Sequence, residues 1–274
     1  MSYPLLRKGD RLPAVGVLQK LLNLNGAGLT VSGRFDAATR TAVTQFQEAN
    51  RIYSANGSVS RETWTRLMSG GHATLQLPVI DCVDVWDMSL YEYEAADIAA
   101  SGGSPILIGG MCNGVEQAVD EILRRAGSNV FLLRFHGHGA PGFAGVSVGH
   151  GAFSRGERAS IDVSNMEALM PVLSRLRSIF GRYGCVQFMH CATGASIRGQ
   201  QLLEFIADTL EVPATGAQLE QLGGGMDTFA YEGPTTTAIP GGASLEAWAG
   251  SLPNFPDMYR VRPIAPADPH AMMH

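Results

Sequence analysis

No run in this sequence is long and apolar enough to span a bilayer, and Met1 to Asp10 lack the basic segment and apolar core of a secretory signal peptide. Basic residues form no block: 20 Lys and Arg stand against 25 Asp and Glu, a formal charge of -5, so neither nucleic acid nor an anionic membrane is expected as a partner. Cysteine is scarce. Cys82, Cys112, Cys185 and Cys191 are too few and too scattered for a disulfide framework. If residues 185 to 191 form one strand, Cys185 and Cys191 stand about 20 Å apart and cannot bridge each other. Free thiols and synthesis in a reducing cytoplasm are therefore expected. Charged residues make up only 16% against 45% apolar, which excludes a disordered chain and leaves material for a sizeable core.

The first 70 residues form a pattern of their own. Gly9 and Asp10 precede a helical stripe of Val15, Leu18, Leu21 and Leu22, which Gly26 or Gly28 ends. Gly33, Arg34 and Phe35 make a turn, and Asp36 is placed to cap a second helix carrying Ala42, Val43 and Phe46. Asn56 and Gly57 mark another turn, Ser60 is a cap, and Thr63 to Leu67 form a closing helix. A small three-helix domain follows.

Gly9, Val15, Leu18, Gln19, Leu22, Gly33, Arg34, Phe35, Thr39, Ala42, Val43, Phe46, Gln47, Gly57, Ser58, Val59, Thr63, Trp64 and Leu67 together resemble the peptidoglycan-binding domain that accompanies many bacterial cell-wall hydrolases. The resemblance covers residues 5 to 69 and implies a module that takes the chain to peptidoglycan rather than a catalyst.

After a short junction, Ser69 to His72, apolar runs alternate with helical patterns: a strand from Leu75 to Trp86, a helix from Leu90 to Ala100, a strand from Pro105 to Gly109 and a helix from Gly114 to Ala126. The strand Val130 to His136 runs into Gly137, His138 and Gly139, with a hairpin expected at Gly145 to Gly149. A long helix from Asn165 to Phe180 then leads to the apolar run Val186 to His190, which stops on Cys191. A helix from Arg198 to Leu210, a strand from Val212 to Ala217 and a proline-rich surface tail from Pro253 close the chain. This alternation predicts a mainly parallel sheet flanked by helices, over residues 71 to 274, following the all-α domain of residues 1 to 70. The loop His150 to Asp162, with Arg155 and Arg158, reads as a substrate flap, a cleavable segment or an exposed connection.

Two strand ends carry chemistry. A thiol followed by Ala192, Thr193 and Gly194, opening toward a helix, is placed to ionise and attack a carbonyl. His138, bracketed by glycines at the end of the other strand, is placed to move the proton. Trp86, Phe131 and Phe135 read as core, and Cys82 and Cys112 as thiols without a role.

This pairing resembles the caspase-like cysteine peptidases, in which one apolar strand ends in His-Gly and a later one ends in Cys. His138 to Gly142 and Cys191 to Gly194, followed by Gly199, Leu202 and Leu203, look most like a bacterial branch of that fold, of unknown function and found in large secreted proteins. The resemblance covers about residues 75 to 245. It implies Cys191 as nucleophile, His138 as the acid that protonates the leaving amine, and the backbone N–H groups of Gly139 and Cys191 as the oxyanion hole. Two residues depart from the pattern. His136 precedes a second His-Gly pair and could take the place of His138, and His190 stands where a small residue is usual, on the face opposite Cys191. No arginine pocket for an acidic side chain is legible.

The expected activity is thus a wall-targeted cysteine endopeptidase acting on a protein or peptide, with no cofactor, no metal and no membrane span. A wall-binding module without a signal peptide calls for export to the wall or periplasm by a specialised route, such as a secretion-system or phage-tail-like machine. Two other classes stay open. A zinc hydrolase would use His136 and His138 with His150, His190 or Cys191. A scaffold or adaptor would keep the fold without catalysis.

Overall fold

A computed structural model describes residues 2–69, 74–85, 88–109, 112–147, 158–255 and 260–261. Trp86, His72, His150, Arg155, most of the His150 to Asp162 loop and most of the tail after Pro253 lie outside the described residues, as do the readings placed on them.

Helices α1 (Pro13–Leu24), α2 (Ala37–Ala49) and α3 (Arg61–Met68) build the N-terminal region. Asp36 accepts from Thr39 N at 2.8 Å and Ser60 from Thr63 N at 3.3 Å, so both expected caps are made. Two buried glutamines stitch the turns in the same way. Gln19 accepts from Gly33 N at 3.0 Å and donates to Thr39 Oγ1 at 3.0 Å; Gln47 accepts from Gly57 N at 3.0 Å and donates to Thr63 Oγ1 at 3.0 Å. The repeated Gln-Gly-Thr device explains why these residue types recur at matching places: each satisfies a turn that would otherwise bury unpaired backbone.

The α/β region opens with β1 (Thr74–Leu75), β2 (Val79–Asp84), α4 (Met88–Ala100), β3 (Ile106–Ile108), α5 (Gly114–Arg125) and β4 (Val130–His136). It continues with β5 (Gly139–Ala140), β6 (Phe143–Gly145), β7 (Ser160–Asp162), α6 (Met166–Leu173), β8 (Phe180–Met189) and α7 (Ser196–Leu210). Last come β9 (Ala214–Ala217), β10 (Thr235–Ala238), α8 (Leu245–Ser251) and β11 (Arg260–Val261). The main sheet has the order β10-β9-β8-β4-β2-β3 and is parallel except for β10.

Two expected elements change. The strand expected from Leu75 is two: β1 pairs with β11, and the chain breaks before Pro78, whose carbonyl receives Phe131 N at 2.9 Å. The long helix ends early. Pro171 sits in the last turns of α6, a 3₁₀ segment covers Ser174–Ile179, and Phe180 already belongs to β8. A hairpin is made by β5 and β6, turning at Gly142 with φ 74°; the one expected at Gly145 to Gly149 falls partly outside the described residues.

The sheet has two covered faces. Leu133, Phe135, Val186 and Phe188 pack against α5, α6 and α7, with the Phe135 and Phe188 rings stacked at 5.6 Å. Phe131, Leu132, Cys185 and Met189 face the other way and share one core with the N-terminal helices. Trp64 stands 5.4 Å from Tyr3 and 6.3 Å from Phe131, and Gly16 of α1 lets Ala249 of α8 approach so closely that an added Cβ would sit 3.0 Å from it. The hydrophobic core is therefore continuous across the junction near residue 70.

Candidate active site

Strands β4 and β8 are parallel neighbours, with Leu132 opposite Cys185 and His136 opposite Met189. Both pairs differ by 53 positions (185 − 132 and 189 − 136), the same separation as His138 and Cys191 (191 − 138). His138 and Cys191 thus leave the carboxyl ends of adjacent strands two residues beyond the last matched pair. β4 also lies at the point where strand order reverses: the chain goes outward from β2 to β3, then crosses to β4. Ligand sites of open α/β sheets form in the crevice outside the carboxyl ends of strands at such a reversal.

Glycine makes the close approach between these two strand ends achievable. A Cβ on Gly139 would lie 2.5 Å from Thr193 Oγ1, 2.6 Å from His190 Cβ and 2.8 Å from Cys191 O. Gly142 N donates to Thr193 O at 3.2 Å and Thr193 Oγ1 donates to Phe143 O at 2.9 Å, so the hairpin after His138 is fastened to the turn after Cys191. Ala192 holds φ 49°, a left-handed conformation costly for a residue with a Cβ, which turns the chain off the strand direction directly after the thiol. Ala192 N donates to Leu219 O and Gly194 N to Ala217 O, both at 2.8 Å. Gly199, in the first turn of α7, lets that helix press on Thr193 and Gly194, where an added Cβ would clash at 2.6 Å and 2.4 Å. The positive end of α7 therefore abuts the turn that carries Cys191.

The four thiols differ in setting. Cys82 and Cys185 are buried, and burial pushes Cys82 well up and Cys185 up to about 12. Cys112 is exposed, while Cys191 is half-buried. Cys191 Sγ donates to Gln221 O at 3.4 Å, and Gln221 N lies 3.3 Å from the same sulfur as a donor to it. Gln221 had no signal in the sequence, because the contact joins residues 30 apart.

The two further histidines have separate environments. His190 is fully buried, its Nε2 donates to Gly145 O at 2.7 Å, and burial pushes it down to about 3, so the ring is neutral. It stands against Gly137 and Gly139 and props the loop that presents His138. His136 is buried on the opposite side of β4, with Nε2 3.2 Å from Asp81 Oδ1 and Nδ1 3.7 Å from Glu94 Oε1. Burial opposes its charge, but the two carboxylates raise its pKa overall. His136 therefore lies in an ion network with Asp81 and Arg134, and the structure does not bring it to the Cys191 turn. Asp84, buried at the end of β2 beside Gly137, is a site neighbour that sequence reasoning passed over. Among the described residues no group of three or more His, Cys, Asp or Glu side chains is arranged to hold a metal. No helix of the described residues is long and apolar enough to cross a membrane.

Residues 11–67 match the family model of the peptidoglycan binding domain, which associates the N-terminal region with the cell wall. No curated protein and no solved structure matches the chain.

Proposed function

We propose that the chain is a cell-wall-targeted cysteine endopeptidase of the caspase-like kind, with a wall-binding module at residues 1–70 and the catalytic region at 71–274. One observation carries the reading: Cys191 and His138 extend adjacent parallel strands at one register, His138 beside the reversal of strand order between β2 and β4, with glycine keeping the two ends in contact.

In this mechanism the Cys191 thiolate adds to a peptide carbonyl carbon, and the negative charge moves to the carbonyl oxygen. The backbone N–H groups of Gly139 and Cys191 receive that oxygen. His138 gives its proton to the departing amine as the C–N bond breaks, leaving a thioester on Cys191. A water molecule then gives its proton to His138 and adds to the thioester, which releases the new carboxylate and returns the thiol. His190, held neutral, keeps the His138 loop in place without competing for the proton. Protein or peptide at the wall is the substrate class, reached by export of a cytoplasmic product along a specialised route.

The zinc reading gains nothing from the geometry, since the His136 nitrogens face Asp81 and Glu94. The test is hydrolysis of unfolded protein substrates, with new N-termini read by mass spectrometry. Cleavage falls by about a thousandfold or more in Cys191→Ala and in His138→Ala, while binding to isolated wall sacculi is retained. Cleavage that persists in Cys191→Ala would end the peptidase reading.

A further inference from the structure

The segment that crosses Cys191 holds the thiol rather than passing it by. Sγ has the backbone of Gln221 on it through both N and O, at 3.3 Å and 3.4 Å. A carbonyl carbon must come to about 3–3.5 Å from the attacking atom. The Gln221 peptide group stands in that shell.

The segment is fastened at its ends, where Leu219 O receives Ala192 N at 2.8 Å and Thr228 is buried, and is thinly packed between them. Leu222 N donates to Glu232 Oε1 at 2.5 Å, and Glu232 N donates to Gln221 Oε1 at 3.2 Å. Asp97 of α4 receives Gly225 N at 2.5 Å and Thr228 Oγ1 at 3.1 Å through one carboxylate oxygen. Between these anchors Gly223, Gly224 and Gly225 have φ of 69°, 80° and 61°, a left-handed run open only to glycine at low cost. Leu222 and Met226 are 80% and 75% exposed, so little apolar burial opposes opening. At its far end the segment is tied to the N-terminal region: Leu5 N donates to Phe229 O at 2.9 Å, and Arg7 donates to Tyr231 O at 3.2 Å.

We propose that residues 219–229 form an autoinhibitory latch over Cys191, closed here, hinged at Gly223–Gly225 and locked by Asp97 and Glu232. The proposal rests on Cys191 being the nucleophile. Opening the latch removes the Gln221 peptide from the sulfur and exposes it to substrate.

The experiment measures the alkylation rate of each cysteine in the full chain with iodoacetamide, located by mass spectrometry. In the wild type Cys191 reacts more slowly than the exposed Cys112. Asp97→Ala removes two latch bonds and raises the Cys191 rate about tenfold, the size expected when a charge-assisted bond is lost from a local opening equilibrium, while Cys112 is unchanged. A lock gives the converse. A Cβ on Gly224 would lie 3.4 Å from Tyr93 Cβ, close to disulfide distance, so Tyr93→Cys with Gly224→Cys should bridge the latch to α4 on oxidation. The bridged form alkylates at Cys191 at least tenfold more slowly than its reduced form. Backbone strain at position 224 is common to both forms and cancels. Cys82 and Cys185 staying unreacted establishes that each variant is folded.

Rates at Cys191 that stay within twofold across Asp97→Ala and the bridged and reduced forms would overturn the latch. If those rates respond but no variant cleaves protein, the latch stands and the peptidase reading fails. If cleavage depends on Cys191 but the rates do not respond, the reverse holds.

Discussion

Arg134 and Asp81 meet in the middle of the sheet: Arg134 Nε donates to Asp81 Oδ1 at 2.7 Å, with the two side chains 0% and 2% exposed. Around them Ser2 Oγ donates to Asp81 Oδ2 at 2.5 Å, Arg134 Nη2 donates to Ser2 O at 2.5 Å, and the guanidinium lies 5.2 Å from the Phe229 ring centre. Burial works against ionised Asp81, but Arg134 and His136 together hold its carboxyl well below the ordinary range. The network ties the start of the chain to the central strands. Removing one member of a buried pair leaves the other uncompensated. Arg134→Leu should therefore cost about 3–5 kcal/mol by urea unfolding. Asp81→Leu added to it should cost less than the sum, since the orphaned carboxylate is then gone. Additive losses would mean that the two groups do not act as a pair.

Under the proposed peptidase mechanism, Gly139 is the position where the fewest added atoms should do the most harm to activity. Gly139→Ala puts a methyl 2.5 Å from Thr193 Oγ1 and 2.8 Å from Cys191 O, and backbone must give way on one side or the other. A displacement of about 1 Å at reacting groups costs on the order of a hundredfold in rate. The expected result is a loss of that size in kcat/KM for protein cleavage. Gly127→Ala, whose added Cβ meets nothing within 4 Å, is the matched control and should leave the rate alone.

Where the candidate site residues lie in the fold was largely legible because the signals are local. Apolar runs stopping at His-Gly and at Cys-Ala-Thr-Gly located both strand ends, and the constant offset of 53 follows from a parallel register that sequence alone could not supply. The Gln221 clasp was not legible, since it joins residues 30 apart, whereas α8 had a local signal in the Ser244 cap that was left unused. Charge isolated in apolar strands was a signal left unused: Asp81 in Val79–Asp84 and Arg134 in Val130–His136 had no reason to be there unless they faced each other. The shared core was legible in principle too. Helix α1 buries Ala14 and Val17 as well as Val15, Leu18, Leu21 and Leu22, and a helix apolar on more than one side is covered on more than one side.

His190 sets a pH dependence with a definite sign. Its folded value of about 3 lies below the ordinary histidine value of about 6.5, so between these limits the unfolded chain binds a proton that the folded chain refuses. Stability from this group is present above about 6.5 and is lost as pH falls, at up to about 1.4 kcal/mol per pH unit. Asp81, lowered in the fold, adds to the loss in the same direction below about 4. His136 is raised and has the opposite sign: its contribution is complete below about 6.5 and fades as pH rises through its folded value. His190→Gln keeps a donor for Gly145 O and removes the titration. Urea midpoints measured from pH 7 to pH 4.5 should fall steeply in the wild type and more gently in the variant; parallel curves would assign the acid sensitivity elsewhere.

Trp64 tests whether the helical region is a passenger or part of the fold. It is fully buried, its Nε1 donates to Pro4 O at 2.6 Å, and its ring contacts Tyr3 and the Phe131 of the central strand. Trp64→Ala empties space between the two regions and should cost about 3–5 kcal/mol. If the helices were an independent module, that cost would fall on them alone, and amide exchange of the helices and of the sheet, followed as two probes, would report unfolding at different denaturant concentrations. The common core predicts one transition by both probes, shifted together in the variant. A chain starting at Thr74 should correspondingly expose part of Phe131 and Leu132 and bind a hydrophobic dye, because the residues of the N-terminal helices that share their core are gone. Such coupling would make the helical region a structural half of the α/β region, so that its displacement is felt at Phe229 and hence at the segment over Cys191.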